Sequence, residues 1–173
     1  MGGRRRVACL LAAILLSSLP AGACGDKLLT IGRGLRLPAR PAAILGYASP
    51  GSRSSALVSD PAFHSLLRKA GHTVRIVADE EGLRAALRRE TYDLVLADAG
   101  DAPYIGELVR EAGNKPVLVP IVYQKTRSEI RAVARQYQCV LEAPGRSGNY
   151  LSAIEKAMEL KAKRSPGRVQ PVG

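Results

Sequence analysis

The run YDLVLAD, Tyr92–Asp98, decides the fold. Leu94–Ala97 are apolar without the alternation of a half-exposed strand, which is the pattern of a strand covered on both faces, as in a parallel sheet whose crossovers lay helices over each side. The run ends on a carboxylate, Asp98, and the carboxyl ends of parallel strands are where open α/β sheets bind their ligands. Asp98 is therefore the first candidate site residue.

The same alternation extends outward in both directions. Toward the N-terminus the pattern predicts a helix over Asp79–Glu90 with acids in its first turn, a strand over Thr73–Val77, and a helix over Asp60–Ala70. That helix is opened by the cap-and-first-turn pair Asp60-Pro61 and stopped by Gly71. Before it lie a Gly/Ser/Pro loop, Ser49–Ser55, and a first strand, Ala42–Ala48. Toward the C-terminus come a helix over Pro103–Gly113, a strand over Pro116–Val122, a helix over Arg127–Tyr137, a short strand over Cys139–Glu142 and a final helix over Asn149–Lys163. Five strands alternating with five helices predict an α/β, doubly wound parallel sheet in one domain.

Length agrees with one domain. Of 173 residues, the alternating pattern occupies 42–160, flanked by a leader at 1–23, a Pro/Arg/Gly-rich linker at 24–41 and a basic tail at 161–173 expected to be disordered. Aromatic residues are 4% with no Trp, so the core is aliphatic and offers no stacking platform for single-stranded nucleic acid. The net charge of +11 is concentrated at the ends. Arg4–Arg6 carry three of those charges and Lys161, Lys163, Arg164 and Arg168 four, which leaves +4 on residues 24–160. Lys27, Arg33, Arg36 and Arg40 account for most of the rest, so the globular part is close to neutral and no specific nucleic-acid binding is expected.

The leader has three parts: the charged start Arg4–Arg6, an apolar run Val7–Leu16, and a small-residue end, Ala21-Gly22-Ala23. This is the pattern of a secretory signal peptide, and its apolar stretch falls short of the ~20 residues a membrane span needs. Cleavage after Ala23 leaves Cys24 first in the mature chain, which resembles a bacterial lipoprotein processing site and makes Cys24 a candidate for lipidation and membrane attachment. Ala21 stands where that family usually carries Leu, and ordinary cleavage at an Ala-x-Ala end accounts for the same residues. Both readings predict an exported protein, periplasmic or membrane-anchored. A Cys24–Cys139 disulfide is permitted there but not implied by the spacing.

The segment from Ala42 to Leu160 resembles the receiver domain of bacterial response regulators, a flavodoxin-like (βα)5 fold. The resemblance is carried by LLRKAGHTVRIVADEEGLRAAL (66–87), by YDLVLADAGDAPYIGELVRE (92–111), by KPVLVPIVY (115–123) and by CVLEAPGRSGNYLSAIEKAM (139–158). It implies that Asp98 occupies the phosphoacceptor position. A working receiver also needs an acid pair after the first strand to hold Mg²⁺, a Ser or Thr after the fourth, and a Lys before Pro after the fifth, because the phosphoryl charge must be neutralised. Here those positions read Ala48-Ser49, Ile121 or Val122, and Ala143-Pro144. The expectation is a pseudo-receiver: no catalytic residue, no metal, no cofactor, and Asp98 an inactive phosphoacceptor-like position that accepts hydrogen bonds from its own loop. The alternative is a cytoplasmic phosphorelay receiver that uses Asp98, which requires that residues 1–23 are not a leader.

Other segments offer less. The loop Ala143–Asn149 precedes a helix and could cradle an anion with Arg146, yet it lacks phosphate-loop spacing. Ser49–Ser55, with Arg53, faces the same crevice. His64 and His72 have no partners at metal-ligand spacing. Lys125, Arg127, Arg131 and Arg135 form a basic stripe on the fourth helix, a surface that an acidic partner or phospholipid headgroups could use. The expected mode of action is binding to a protein or envelope component whose identity and stoichiometry the residues do not name.

Overall fold

The computed structural model describes residues 30–31, 35–36 and 40–164. The expectations placed on the leader, on Cys24, on most of the 24–41 linker and on residues 165–173 lie outside the described residues. Within that linker two short strands, β1 (Thr30–Ile31) and β2 (Leu35–Arg36), pair antiparallel.

The main sheet comprises β3 (Ala43–Tyr47), β4 (Thr73–Val77), β5 (Leu94–Asp98), β6 (Val117–Tyr123) and β7 (Leu141–Ala143), in the order β4-β3-β5-β6-β7 and parallel throughout. This is the flavodoxin-like arrangement, in which the sheet grows in both directions from its first strand. The central strand β5 is the YDLVLAD segment, and its register sets Leu94 beside Ile44 and Val117, and Asp98 beside Ile121. Leu94–Ala97 are all buried, which explains why the run is continuously apolar.

Among the described residues, six helices accompany the sheet: α1 (Ser55–Val58), α2 (Pro61–Lys69), α3 (Glu80–Arg89), α4 (Ala102–Glu111), α5 (Arg127–Gln136) and α6 (Ser147–Arg164). On one face of the sheet α1, α2 and α6 bury Val58, Phe63, Leu67 and Ile154 against Ile44, Leu96 and Ile121. Phe63 and Tyr150 meet edge to face with centroids 5.3 Å apart, joining α2 to α6. On the other face α3 and α4 bury Leu83, Leu87 and Ile105 against Leu45 and Val95. Local chemistry places the helix starts: Asp60 accepts from Ala62 N at 2.8 Å, Asp79 from Gly82 N at 2.7 Å, and Thr126 forms a reciprocal capping box with Glu129.

Most boundaries fall within two residues of the sequence reading, and the larger differences have local causes. The Ser49–Ser55 loop runs into α1, a single helical turn that the polar composition of the segment concealed; Leu57 and Val58 anchor it on the core. Gly46 makes room for it: a Cβ there would lie 2.8 Å from Val58 Cγ1 and 2.6 Å from Ile76 Cδ1. Strand β7 begins two residues later than expected, which leaves Cys139 ahead of the strand, buried, with Sγ donating to Ala153 O at 3.1 Å. Helix α6 begins at Ser147 and continues through Arg164, beyond the expected end of the domain at Leu160. Lys161 explains the extension, because its Nζ pairs with Asp93 Oδ1 at 3.0 Å and donates to Tyr92 O at 3.0 Å.

Candidate functional site

Asp98 ends β5 on the side where the loops after β3, β6 and β7 also emerge. Both of its carboxylate oxygens are engaged by backbone. Oδ1 accepts from Gly100 N at 2.8 Å, an Asx-type bond within its own loop, and Oδ2 accepts from Ser54 N at 3.3 Å across 44 residues. Gly100 suits this arrangement, since a Cβ at that position would sit 3.2 Å from Oδ1. Ala99 N and Asp101 N are also taken, by Ile121 O at 2.9 Å and Asp98 O at 3.0 Å.

The segment held by Asp98 is the one that carries Ala48-Ser49 in place of an acid pair. Ala48 is buried and donates through its N–H to Val77 O at 2.8 Å. Beyond it the chain folds on itself: Ser52 N donates to Ser49 O at 3.1 Å, Ser55 N to Ser52 Oγ at 3.2 Å and Ser55 Oγ to Ser52 O at 2.6 Å. This self-bonded turn delivers Ser54, which is fully buried (0% exposed), against Asp98. Arg53 points its neighbourhood toward solvent as an exposed residue and shows no ion pair among the described residues.

The other positions that the resemblance assigns to the active site carry apolar side chains. Ile121, beside Asp98 in the sheet, is fully buried and supplies no hydroxyl. Ala143 ends β7 in the lysine position, buried, with a cis peptide to Pro144 and its carbonyl accepting from Gln124 N at 2.7 Å. Asp101 stands at the start of α4 without a cap bond, and its Oδ2 is buried with no hydrogen-bond partner among the described residues. A Mg²⁺ ion needs near-octahedral oxygen donors. The oxygen donors present are Asp98, each of whose oxygens accepts one N–H, and Asp101 three residues on, with an alanine side chain where the resemblance places the acid pair. No group of three or more His, Cys, Asp or Glu among the described residues is arranged to hold a metal.

The other sequence candidates fall outside this crevice or are closed. In the Ala143–Asn149 loop, Gly145 N donates to Tyr150 OH at 2.7 Å and Asn149 N to Arg146 O at 2.9 Å, so two N–H groups that an anion would need are engaged internally. His64 contacts Val58 O from α2. His72 is a core residue, 3% exposed, whose Nδ1 accepts from Ala42 N at 3.1 Å and ties the start of β3 to the turn before β4; burial holds its pKa below the ordinary histidine value. The residue that sequence reasoning missed is Ser54. Its only signal was a polar residue just before a short apolar pair, Leu57-Val58, in a segment read as loop.

Solved structures share this architecture. The NtrX structure from Brucella abortus in complex with ADP superposes with a TM-score of 0.58 at 21% identity, covering 78% of this chain and 31% of that one. This chain thus spans about a third of the NtrX length. The receiver domain of the sensor histidine kinase PA1611 from Pseudomonas aeruginosa PAO1, with magnesium coordinated in its active-site cleft, gives 0.52 at 17% identity over 69% of this chain and 99% of that one. The CheY-like response regulator receiver domain protein from Methanospirillum hungatei JF-1 gives 0.54 at 14% identity over 72% and 99%. At these identities the shared property is the receiver fold. No family model and no curated protein matches the sequence.

Proposed function

We propose that this chain is an exported, non-catalytic receiver-like module that acts by binding a protein or another envelope component, with Asp98 serving as a structural clamp in the phosphoacceptor position. The observation that carries the reading is the pair of bonds from Ser54 N and Gly100 N to the two oxygens of Asp98. A phosphoryl group on either oxygen would have to displace one of them, in a site with no second acid at Ala48, no hydroxyl at Ile121 and no ammonium at Ala143 to take up its charge. Export is supported by the charged, apolar and small-residue succession of residues 1–23, and attachment through Cys24 by its place directly after Ala23.

Two measurements test this. Incubation of the purified protein with acetyl phosphate and Mg²⁺ should give no phosphoryl adduct by intact mass; an adduct that disappears in Asp98→Asn would establish the cytoplasmic phosphorelay alternative. Intact mass of the protein from its native host should show a chain beginning at Cys24, with a diacylglycerol increment if the cysteine is lipidated. A chain retaining residues 1–23 would refute export.

A further inference from the structure

We propose that the side of the molecule formed by α4, α5 and the end of α6 docks on anionic phospholipid headgroups, with the arginine stripe of α5 as the contact. Helix α5 stands apart from the other long helices because it buries no residue completely. Ile130, Val133 and, just past the helix end, Tyr137 are half-buried, whereas Arg127, Arg131 and Arg135 are exposed. The three arginines recur every four residues, so each is rotated only about 40° from the last and together they line one stripe roughly 12 Å long. The one acid of the helix, Glu129, is occupied by the Thr126 capping box and by Lys125 at 3.3 Å. Among the described residues, no carboxylate lies within ion-pair distance of the three guanidiniums.

At its C-terminal end the helix opens onto a groove of about 450 Å³, lined by apolar Leu118, Tyr137 and Leu160 and by Arg110 from α4 and Arg164 from α6, with Glu107 the single acid in the lining. The lining mixes apolar carbon with Gln136, Gln138 and two guanidiniums that also donate to Gly106 O and Gln138 Oε1, which suits the polar headgroup and ester region of an anionic amphiphile, because arginine binds phosphate oxygens in a forked pair. A lipid surface fits better than an acidic protein. Protein interfaces rest on large apolar or aromatic anchors, and the exposed large hydrophobic among the described residues is Tyr104, engaged with Arg84 across α3 and α4 rather than on α5. Headgroup attraction requires only accessible charge.

The proposal is independent of export and of Cys24, since vesicles test it directly. Hydrogen exchange of the full processed chain should slow across residues 127–137 when phosphatidylglycerol-containing vesicles are added, should be unaffected by vesicles of phosphatidylcholine alone, and should revert at high salt. The triple variant Arg127→Gln/Arg131→Gln/Arg135→Gln, which alters only exposed side chains, should lose that protection. In a chain without lipid at Cys24 it should also lower vesicle affinity about 100-fold. The control triple Arg68→Gln/Lys69→Gln/Arg88→Gln should behave as wild type. Equal protection by the two vesicle types, protection that survives in the arginine triple, or none over α5 would each overturn the proposal, the last leaving the stripe to an acidic protein surface.

Discussion

Asp98 and Asp101 lie three residues apart and carry opposite structural loads. Removing the Asp98 carboxylate leaves Ser54 N and Gly100 N without their acceptor, so Asp98→Ala should cost about 1–3 kcal/mol and loosen residues 49–55, read as a lower urea midpoint and faster exchange in that loop. Asp101→Ala gives up a carboxylate oxygen that is buried and unpartnered, and its urea midpoint should match wild type or exceed it. His72 adds a pH dependence. Its Nδ1 is an acceptor for Ala42 N, so a proton there sets two N–H groups against each other, and burial lowers the pKa below 6.5. The unfolded chain therefore binds the proton more readily, and stability should be full above about pH 6.5 and fall by up to about 1.4 kcal/mol per unit as pH drops toward the folded value. His72→Asn, with an amide oxygen in place of Nδ1, should flatten that slope in urea titrations. The placement of Asp98 was legible because strand periodicity alone puts it at a sheet end. Its partner Ser54 was not, because the bond spans 44 residues and depends on a helical turn without a periodic signature of its own.

At the scale of elements, α5 is the helix with least tertiary support, so its ends matter more than its packing. Thr126→Ala should remove about 1 kcal/mol from the helix, visible as faster amide exchange over residues 127–136, while the two core clusters, to which α5 contributes no buried residue, stay protected. The same box is acid-sensitive. The Thr126 backbone N–H, its hydroxyl and Lys125 hold Glu129 down at about 2 from 4.5. The carboxylate's contribution is thus complete above pH 4.5 and should be lost progressively down to pH 2, fraying α5 ahead of the rest of the fold. The existence of every helix but the single turn α1 was readable from caps and periodicity, and Asp60, Asp79 and Thr126 all cap where a side chain could reach the first turn. Boundaries failed where tertiary contacts decided them. Helix α6 was expected to end at Lys163 and ends at Arg164, but it starts two residues early, and β7 starts late because its pairing with β6 begins at Leu141 opposite Ile121.

Across the whole molecule, one sheet separates two cores, and the core beneath α1, α2 and α6 closes only when distant parts of the chain come together. The alternation of apolar runs and amphipathic stretches was enough to read the architecture, since each crossover is local in sequence. Ala48, Ile121 and Ala143 were read from the sequence through the receiver resemblance; the alternation could not give the bond from Ser54 N to Asp98, which joins residues 44 apart. The clamp of Lys161 on Tyr92 and Asp93 has a further consequence in time. Among the described elements α6 is made after all the strands, so Ile44, Leu96 and Ile121 wait for Ile154 and Ala157, and the start of the central strand waits for Lys161. Chains ending at residue 146 should be cut rapidly by protease, because Ile44, Leu96 and Ile121 lose their cover, and those carrying residues through 164 should resist.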